Sequence, residues 1–154
     1  MRHEPIQALQ AAARPVPGAK PRPRLLIAGA TGALGNELLR RLVGLQQFSA
    51  TQVLAREPIR AGLRGVGVTV VPSDSPADWP AGSADVGLVL FDPPRLFYDR
   101  ERALWTPRPE QLPDLAAWMR RSQVGTLAIV LPHAQGRLPE ALKRGLAGLD
   151  EHAV

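Results

Sequence analysis

The chain has 154 residues, enough for one domain with a hydrophobic core but too few for two ordinary domains. It contains no cysteine, which excludes disulfides, thiolate catalysis and cysteine-ligated metal, and its histidines (His3, His133 and His152) are too scattered to indicate a metal site. Its formal charge of +5 is concentrated in residues 1–24, where five basic residues accompany one acid. No apolar stretch is long enough to span a bilayer, and no secretory signal is recognisable, so we expect a cytoplasmic protein without a membrane partner.

Residues 1–23 form a leader that is rich in proline and arginine. Its prolines prevent a regular helix or sheet, so we expect it to be disordered or extended, with residues 24–154 forming one domain. Two interpretations stay open for the leader: a solvated segment without a partner, or a weak electrostatic contact with an anion such as nucleic acid. Because the rest of the chain is nearly neutral, we do not expect nucleic acid as a main partner.

The first predicted strand, residues 25–28, runs into Gly29, Gly32 and Gly35, which have the spacing G-x-x-G-x-x-G. This arrangement is typical of a dinucleotide-phosphate cradle, in which a strand turns sharply into a helix whose unpaired N–H groups bind a pyrophosphate. A Cβ at Gly29 or Gly32 would obstruct the approach of the phosphate. The alternative is a tight strand-to-helix turn that binds nothing.

The residues after the glycines predict an amphipathic helix. Leu34, Leu38 and Leu42 fall on one apolar stripe, with Leu39 and Val43 beside it. We therefore expect all five to face the core.

Further along the chain, short apolar runs alternate with helical patterns. We predict strands over 51–55, 67–71, 85–91 and 126–131, helices over 110–122 and from 139 to the end, and a mostly irregular segment with one helical turn over 92–109. This alternation predicts an α/β fold with a doubly wound parallel sheet of Rossmann type, in strand order 3-2-1-4-5. A ligand is then expected over the carboxyl ends of the strands, where the order reverses. Trp79, Trp105 and Trp118 are interpreted as packing residues, with Trp105 also a candidate to line a pocket.

The glycine run, together with Arg56 after the second strand and Asp74 after the third, resembles the NAD(P)-binding half of atypical short-chain dehydrogenase/reductases. The resemblance covers residues 24–154 and includes the NmrA-like and Tat-interacting-protein-like branches. It implies that the cofactor is bound by the loop residues Gly29, Thr31, Gly32, Ala33, Leu34 and Gly35.

The resemblance also distinguishes between the two dinucleotides. Family members that bind NAD carry an acid after the second strand, whereas a basic residue accommodates a 2′-phosphate, so Arg56 favours NADP(H) over NAD(H). The alternative for Arg56 is a solvated charge at the end of a strand. Asp74 resembles the acid that accepts a hydrogen bond from the adenine amino group, or it is an ordinary turn residue. Phe91 stands where relatives place small residues against the cofactor.

Hydride-transferring relatives use a serine after the fifth strand and a Tyr-x-x-x-Lys pair on the next helix. This chain has Pro132 and His133 after the fifth strand, and its only tyrosine, Tyr98, follows the fourth. The usual catalytic pair is therefore absent from the sequence. His133 and Tyr98 are the remaining candidates for an acid or base, and a solvated loop histidine is the alternative for His133.

Relatives also continue past the point where this chain stops, Val154, into a further strand and a substrate-binding region. We therefore expect a Rossmann core truncated at its C-terminus, as a homo-oligomer or with a partner subunit that covers the exposed side of strand five. Three functions stay open: a cofactor-binding or redox-sensing module for NADP(H), an active NAD(P)-dependent oxidoreductase or isomerase, and a degenerate Rossmann scaffold for protein interaction.

Overall fold

Short runs of aliphatic and β-branched residues build a single parallel sheet. The computed structural model describes residues 21–59, 64–95 and 98–131 together with Arg144. These contain five strands: β1 (Arg24–Ala28), β2 (Ala50–Ala55), β3 (Val66–Val70), β4 (Val86–Leu90) and β5 (Thr126–Val130). The order is β3-β2-β1-β4-β5 and every pairing is parallel, which confirms the predicted fold class and strand order. Most of the leader and the predicted last helix lie outside the described residues.

The two faces of the sheet bury different residues, because successive side chains of a strand point to opposite sides. Leu26 and Ala28 pack on one face with helix α3 (Leu112–Arg121), and Leu25 and Ile27 pack on the other with helix α1 (Gly32–Leu45). Helices therefore cover both faces, as a doubly wound sheet requires. Within the ranges above, no helix is long and apolar enough to cross a membrane.

Three tryptophans connect α3 to the loop after β3. Trp79 packs edge-on against both Trp105 and Trp118, with ring centroids 4.9 and 5.0 Å apart. All three rings are buried, and each indole N–H donates a hydrogen bond, to the Ser73 carbonyl, the Asp74 carboxylate and the Pro80 carbonyl respectively. This confirms the predicted packing role.

The structure differs from the sequence predictions mainly at element ends. The predicted strands shift by a residue at one or both ends, and α3 begins after a 3₁₀ turn, Pro109–Gln111. The irregular segment contains one short helix, α2 (Asp99–Ala103), as predicted.

The prediction that Leu34 faces the core is wrong, since 40% of its surface is exposed. The buried face of α1 is centred on Gly35 and Leu39, with Leu38 and Leu42 packed at its margin. Leu34 belongs to the first helical turn, in which Gly32 and Gly35 are the buried residues.

Gly35 and Gly44 on α1 provide a matched test of this packing. A Cβ on Gly35 would lie 2.5 Å from the Ala30 carbonyl carbon, whereas a Cβ on Gly44 meets nothing within 4 Å. Overpacking against backbone predicts that Gly35→Ala lowers the free energy of unfolding by about 1–3 kcal/mol. Gly44→Ala is expected to raise it by about 0.5–1 kcal/mol, because alanine favours helix. Urea denaturation measures both, and equal effects of the two substitutions would contradict the described packing.

Candidate functional site

The candidate site lies at the carboxyl ends of the strands, where the strand order reverses between β1 and β4. The loop that leads from β1 into α1 contacts the loop that follows β4. The buried Thr31 hydroxyl donates a hydrogen bond to the Asp92 carbonyl oxygen at 2.6 Å. The two loops that border the crevice are therefore held together at this point.

Gly29 and Gly32 both have positive φ, +82° and +72°, which favours glycine. Neighbouring atoms also approach these two residues too closely for any side chain. A Cβ on Gly29 would lie 2.1 Å from the Leu90 carbonyl oxygen, and one on Gly32 would lie 2.1 Å from Asp92 Oδ2. The sequence predicted that these glycines make room for a pyrophosphate, but in the structure the atoms that come this close are the protein's own.

At the N-terminus of α1, two carboxylates from elsewhere in the chain accept hydrogen bonds from backbone N–H groups. The Gly32 N–H donates to Glu101 Oε1, and the Leu34 N–H donates to Asp92 Oδ2 at 3.1 Å. Such an N-terminus has unpaired N–H donors and a positive partial charge, so it attracts anions. Glu101 and Asp92 therefore provide the negative charge that the sequence analysis assigned to a bound pyrophosphate.

Glu101 is buried, with 1% of its surface exposed. Its second carboxylate oxygen accepts a hydrogen bond from Arg95 Nε at 2.9 Å, so the charge is paired. Sequence reasoning missed Glu101, because it stands in a strongly charged run (Asp99-Arg100-Glu101-Arg102) that is typical of an exposed surface. Its contact with Gly32 spans 69 residues, and no local pattern indicates it.

Residues 98–108, here called the crossing segment, lie over the carboxyl ends of β1 and β2. The Arg56 N–H donates to the Ala103 carbonyl at 2.7 Å, and the Trp105 N–H donates to the Leu54 carbonyl at 3.0 Å. The Trp105 carbonyl in turn accepts from the Gly29 N–H at 3.2 Å. The crossing segment is thus inserted between the ends of the two strands and covers part of the crevice.

A groove of about 240 Å³ stays open beside the crossing segment, at the ends of β2 and β3. It is lined by Arg56, Val71, Pro72, Ser73, Asp74 and Trp105. Arg56 is exposed, and none of the ion pairs in the described part of the chain uses its guanidinium. The groove therefore has an exposed positive charge that can attract an anion, beside the carboxylate of Asp74.

Asp74 is engaged by other residues of the chain. Its two carboxylate oxygens accept hydrogen bonds from Arg108 at 2.7 Å and from Trp105 Nε1 at 2.8 Å. The Arg108 guanidinium holds the pKa of Asp74 below its ordinary value, the Trp105 bond and the Arg56 charge act in the same direction, and partial burial opposes them. The carboxylate is therefore ionised and committed to the protein.

The other residues that the sequence assigned to the site are not gathered in one place. Ala33 and Leu34 are exposed on the first turn of α1, and Phe91 is half-buried against the core on the α3 side. Tyr98 is 56% exposed, with the Arg95 guanidinium 4.9 Å from its ring centroid. His133 lies outside the described residues. Among those described, no group of three or more acidic or histidine side chains is placed to hold a metal ion.

The crevice has room for the adenosine end of a dinucleotide but not for its diphosphate. The groove at Arg56 has the chemistry for a phosphorylated adenosine, but its volume is below the roughly 300–1000 Å³ of pockets that enclose a whole ligand. At the other end, Glu101 and Asp92 already bond to the helix N–H groups that a diphosphate would use. In this conformation the diphosphate is therefore excluded.

A scan against protein-family models returned no match, and a search of curated proteins also returned none. Among solved structures, the chain is similar to a protein from Bacteroides thetaiotaomicron that is described as a "putative epimerase". The two are 20% identical with a TM-score of 0.47, and the match covers 83% of this chain. This chain spans about three fifths, 61%, of the length of that one.

The Asp74–Arg108 pair predicts a pH dependence of stability. Because the pKa of Asp74 is lower in the folded protein, the pair stabilises the fold above the unfolded pKa of about 3.9, and this contribution is lost as the pH falls through the folded value. Both side chains are more than half exposed, so Asp74→Asn is expected to cost less than about 1 kcal/mol at pH 7.

Urea denaturation of the wild type and Asp74→Asn at pH 7 and pH 3 measures this difference, which is expected to shrink at the lower pH. In an Arg108→Gln background, Asp74→Asn is expected to have a smaller effect at pH 7, because only the Trp105 bond and the Arg56 charge remain. A difference that is constant with pH would contradict the proposed pairing.

Proposed function

We propose that this protein is a Rossmann-like module of the atypical short-chain dehydrogenase/reductase type that binds NADP(H), with Arg56 at the 2′-phosphate. The observation that carries the proposal is the open groove at the ends of β2 and β3, which is lined by Arg56, a residue in none of the ion pairs of the described part of the chain. A guanidinium forms two parallel hydrogen bonds with a phosphate, which a hydroxyl-bearing ribose cannot match. This chemistry favours NADP(H) over NAD(H).

The role of Asp74 in the proposal differs from the one that the resemblance implies. Its oxygens are bonded to Trp105 and Arg108, so it holds these two residues of the crossing segment beside the groove. Its backbone carbonyl also accepts from Gln111 Nε2 at 2.7 Å. We therefore assign Asp74 to the support of the groove.

We propose a cofactor-holding or redox-sensing role for the module, with little intrinsic hydride chemistry. The sequence has no Tyr-x-x-x-Lys pair, and its one tyrosine, Tyr98, projects from the crossing segment with more than half of its surface exposed. In hydride-transferring relatives a lysine four residues after the tyrosine supports proton donation, and in this chain that position holds Arg102.

The filled N-terminus of α1 favours a second candidate, a Rossmann scaffold that no longer binds a dinucleotide and serves protein interaction. Glu101 and Asp92 would then be permanent caps of the helix. Absence of NADPH and NADH binding at millimolar concentration, by isothermal titration calorimetry, would favour this candidate over the first.

Arg56→Gln tests the 2′-phosphate assignment. Loss of a charge-assisted phosphate contact is expected to weaken NADPH binding by about tenfold to a hundredfold, while NADH binding changes less than about twofold. Arg40→Gln is the matched control, since Arg40 lies on the outer face of α1 with 71% of its side chain exposed. Calorimetric titration with both nucleotides gives the ratio, and equal losses for NADPH and NADH would contradict the assignment.

A further inference from the structure

We infer that Glu101 and Asp92 close the phosphate cradle from within, and that a dinucleotide binds only after both carboxylates leave the N-terminus of α1. The carboxylates bond to the Gly32 and Leu34 N–H groups, which point to the place where a diphosphate would lie. The ligand in this inference is the dinucleotide of the proposed function, on which the inference rests. The closed contact itself is a property of the protein without ligand.

Closure and phosphate binding exclude each other on electrostatic grounds. A diphosphate and the Glu101 carboxylate would use the same donor and carry charge of the same sign. Glu101 is buried, so water screens that repulsion weakly. The Asp92 carboxylate also excludes a diphosphate sterically, because it lies directly against Gly32 and fills the space that a Cβ on this residue would take.

The contacts that keep the cradle closed come from two places, the short helix α2 and the loop after β4. The crossing segment bonds to the strand ends through Arg56, Trp105 and Gly29, and α2 is a single turn of five residues. Arg95, the ion-pair partner of Glu101, is 43% exposed. When Glu101 leaves, Arg95 stays beside the cradle without its partner, so in the open state it pairs with the phosphate instead.

The closed contact is testable without a ligand, by NMR measurement of amide hydrogen exchange. In the free wild type, the Gly32 amide is expected to exchange about tenfold more slowly than in Glu101→Gln, because a hydrogen bond to a charged acceptor is the stronger one. Glu37→Gln is the matched control, since Glu37 lies on the same helix and, among the described residues, its ion pairs are with Arg40 and Arg41. Equal Gly32 exchange in the wild type and Glu101→Gln overturns the closure.

The release is tested by calorimetric titration with NADPH. Glu101→Gln and Asp92→Asn are each expected to bind NADPH about tenfold or more tightly than the wild type, and Glu37→Gln to bind it as the wild type does. Adding Arg95→Gln to Glu101→Gln is expected to weaken binding again by about tenfold, because the phosphate loses its guanidinium. Asp92→Asn keeps the test valid if Glu101→Gln does not fold.

The outcomes separate the closure from the proposed function. If the wild type binds NADPH and neither substitution tightens binding, the closure is overturned and the proposed function stands. If Gly32 is protected as expected but no variant binds NADPH at millimolar concentration, the proposed function fails, and with it the claim that the closure excludes a dinucleotide.

Discussion

The structure of the site depends on one buried charge, the Glu101 carboxylate bonded to the first amide of α1. An ionised group with 1% exposure is stable only when it is paired and hydrogen-bonded, and Gly32 and Arg95 meet that requirement from two sides. Removing one partner of such a pair typically costs about 3–5 kcal/mol. The contact therefore fixes α2 against α1, and with it the path of the crossing segment.

Several features of the crevice follow from that path. Ala103 and Trp105 bond to the ends of β1 and β2, and the crossing segment reaches the switch point between β1 and β4 where the Thr31 and Thr106 hydroxyls lie 3.4 Å apart. The Trp105 side chain then reaches Asp74 and packs on Trp79, which joins the crossing segment to the core. What is left open is the groove at Arg56, large enough for one end of a nucleotide.

The parts of this architecture that depend on local patterns could be predicted from the sequence. The five apolar runs determine the strands, and their alternation with helices determines the order β3-β2-β1-β4-β5. The spacing of Gly29 and Gly32 indicated the sharp turn, which the positive φ values confirm. Leu34 was misplaced because a 3.6-residue period identifies a stripe but not which of its members the core buries.

The contacts that decide the state of the site could not be predicted in this way. Glu101 reaches Gly32 across 69 residues, and Arg108 reaches Asp74 across 34, so neither pair has a local signature. The glycine motif constrains the backbone, and the same constraint serves a bound phosphate or a carboxylate of the chain itself. The sequence therefore indicated an anion at the helix N-terminus, and the tertiary structure decides which anion lies there.

The most direct test of this account is a crystal structure of the protein with NADPH bound. The account predicts diphosphate oxygens on the Gly32 and Leu34 amides, with the Glu101 carboxylate displaced from the helix and Arg95 turned to the phosphate. A bound diphosphate on those amides, with Glu101 still bonded to Gly32, would contradict it.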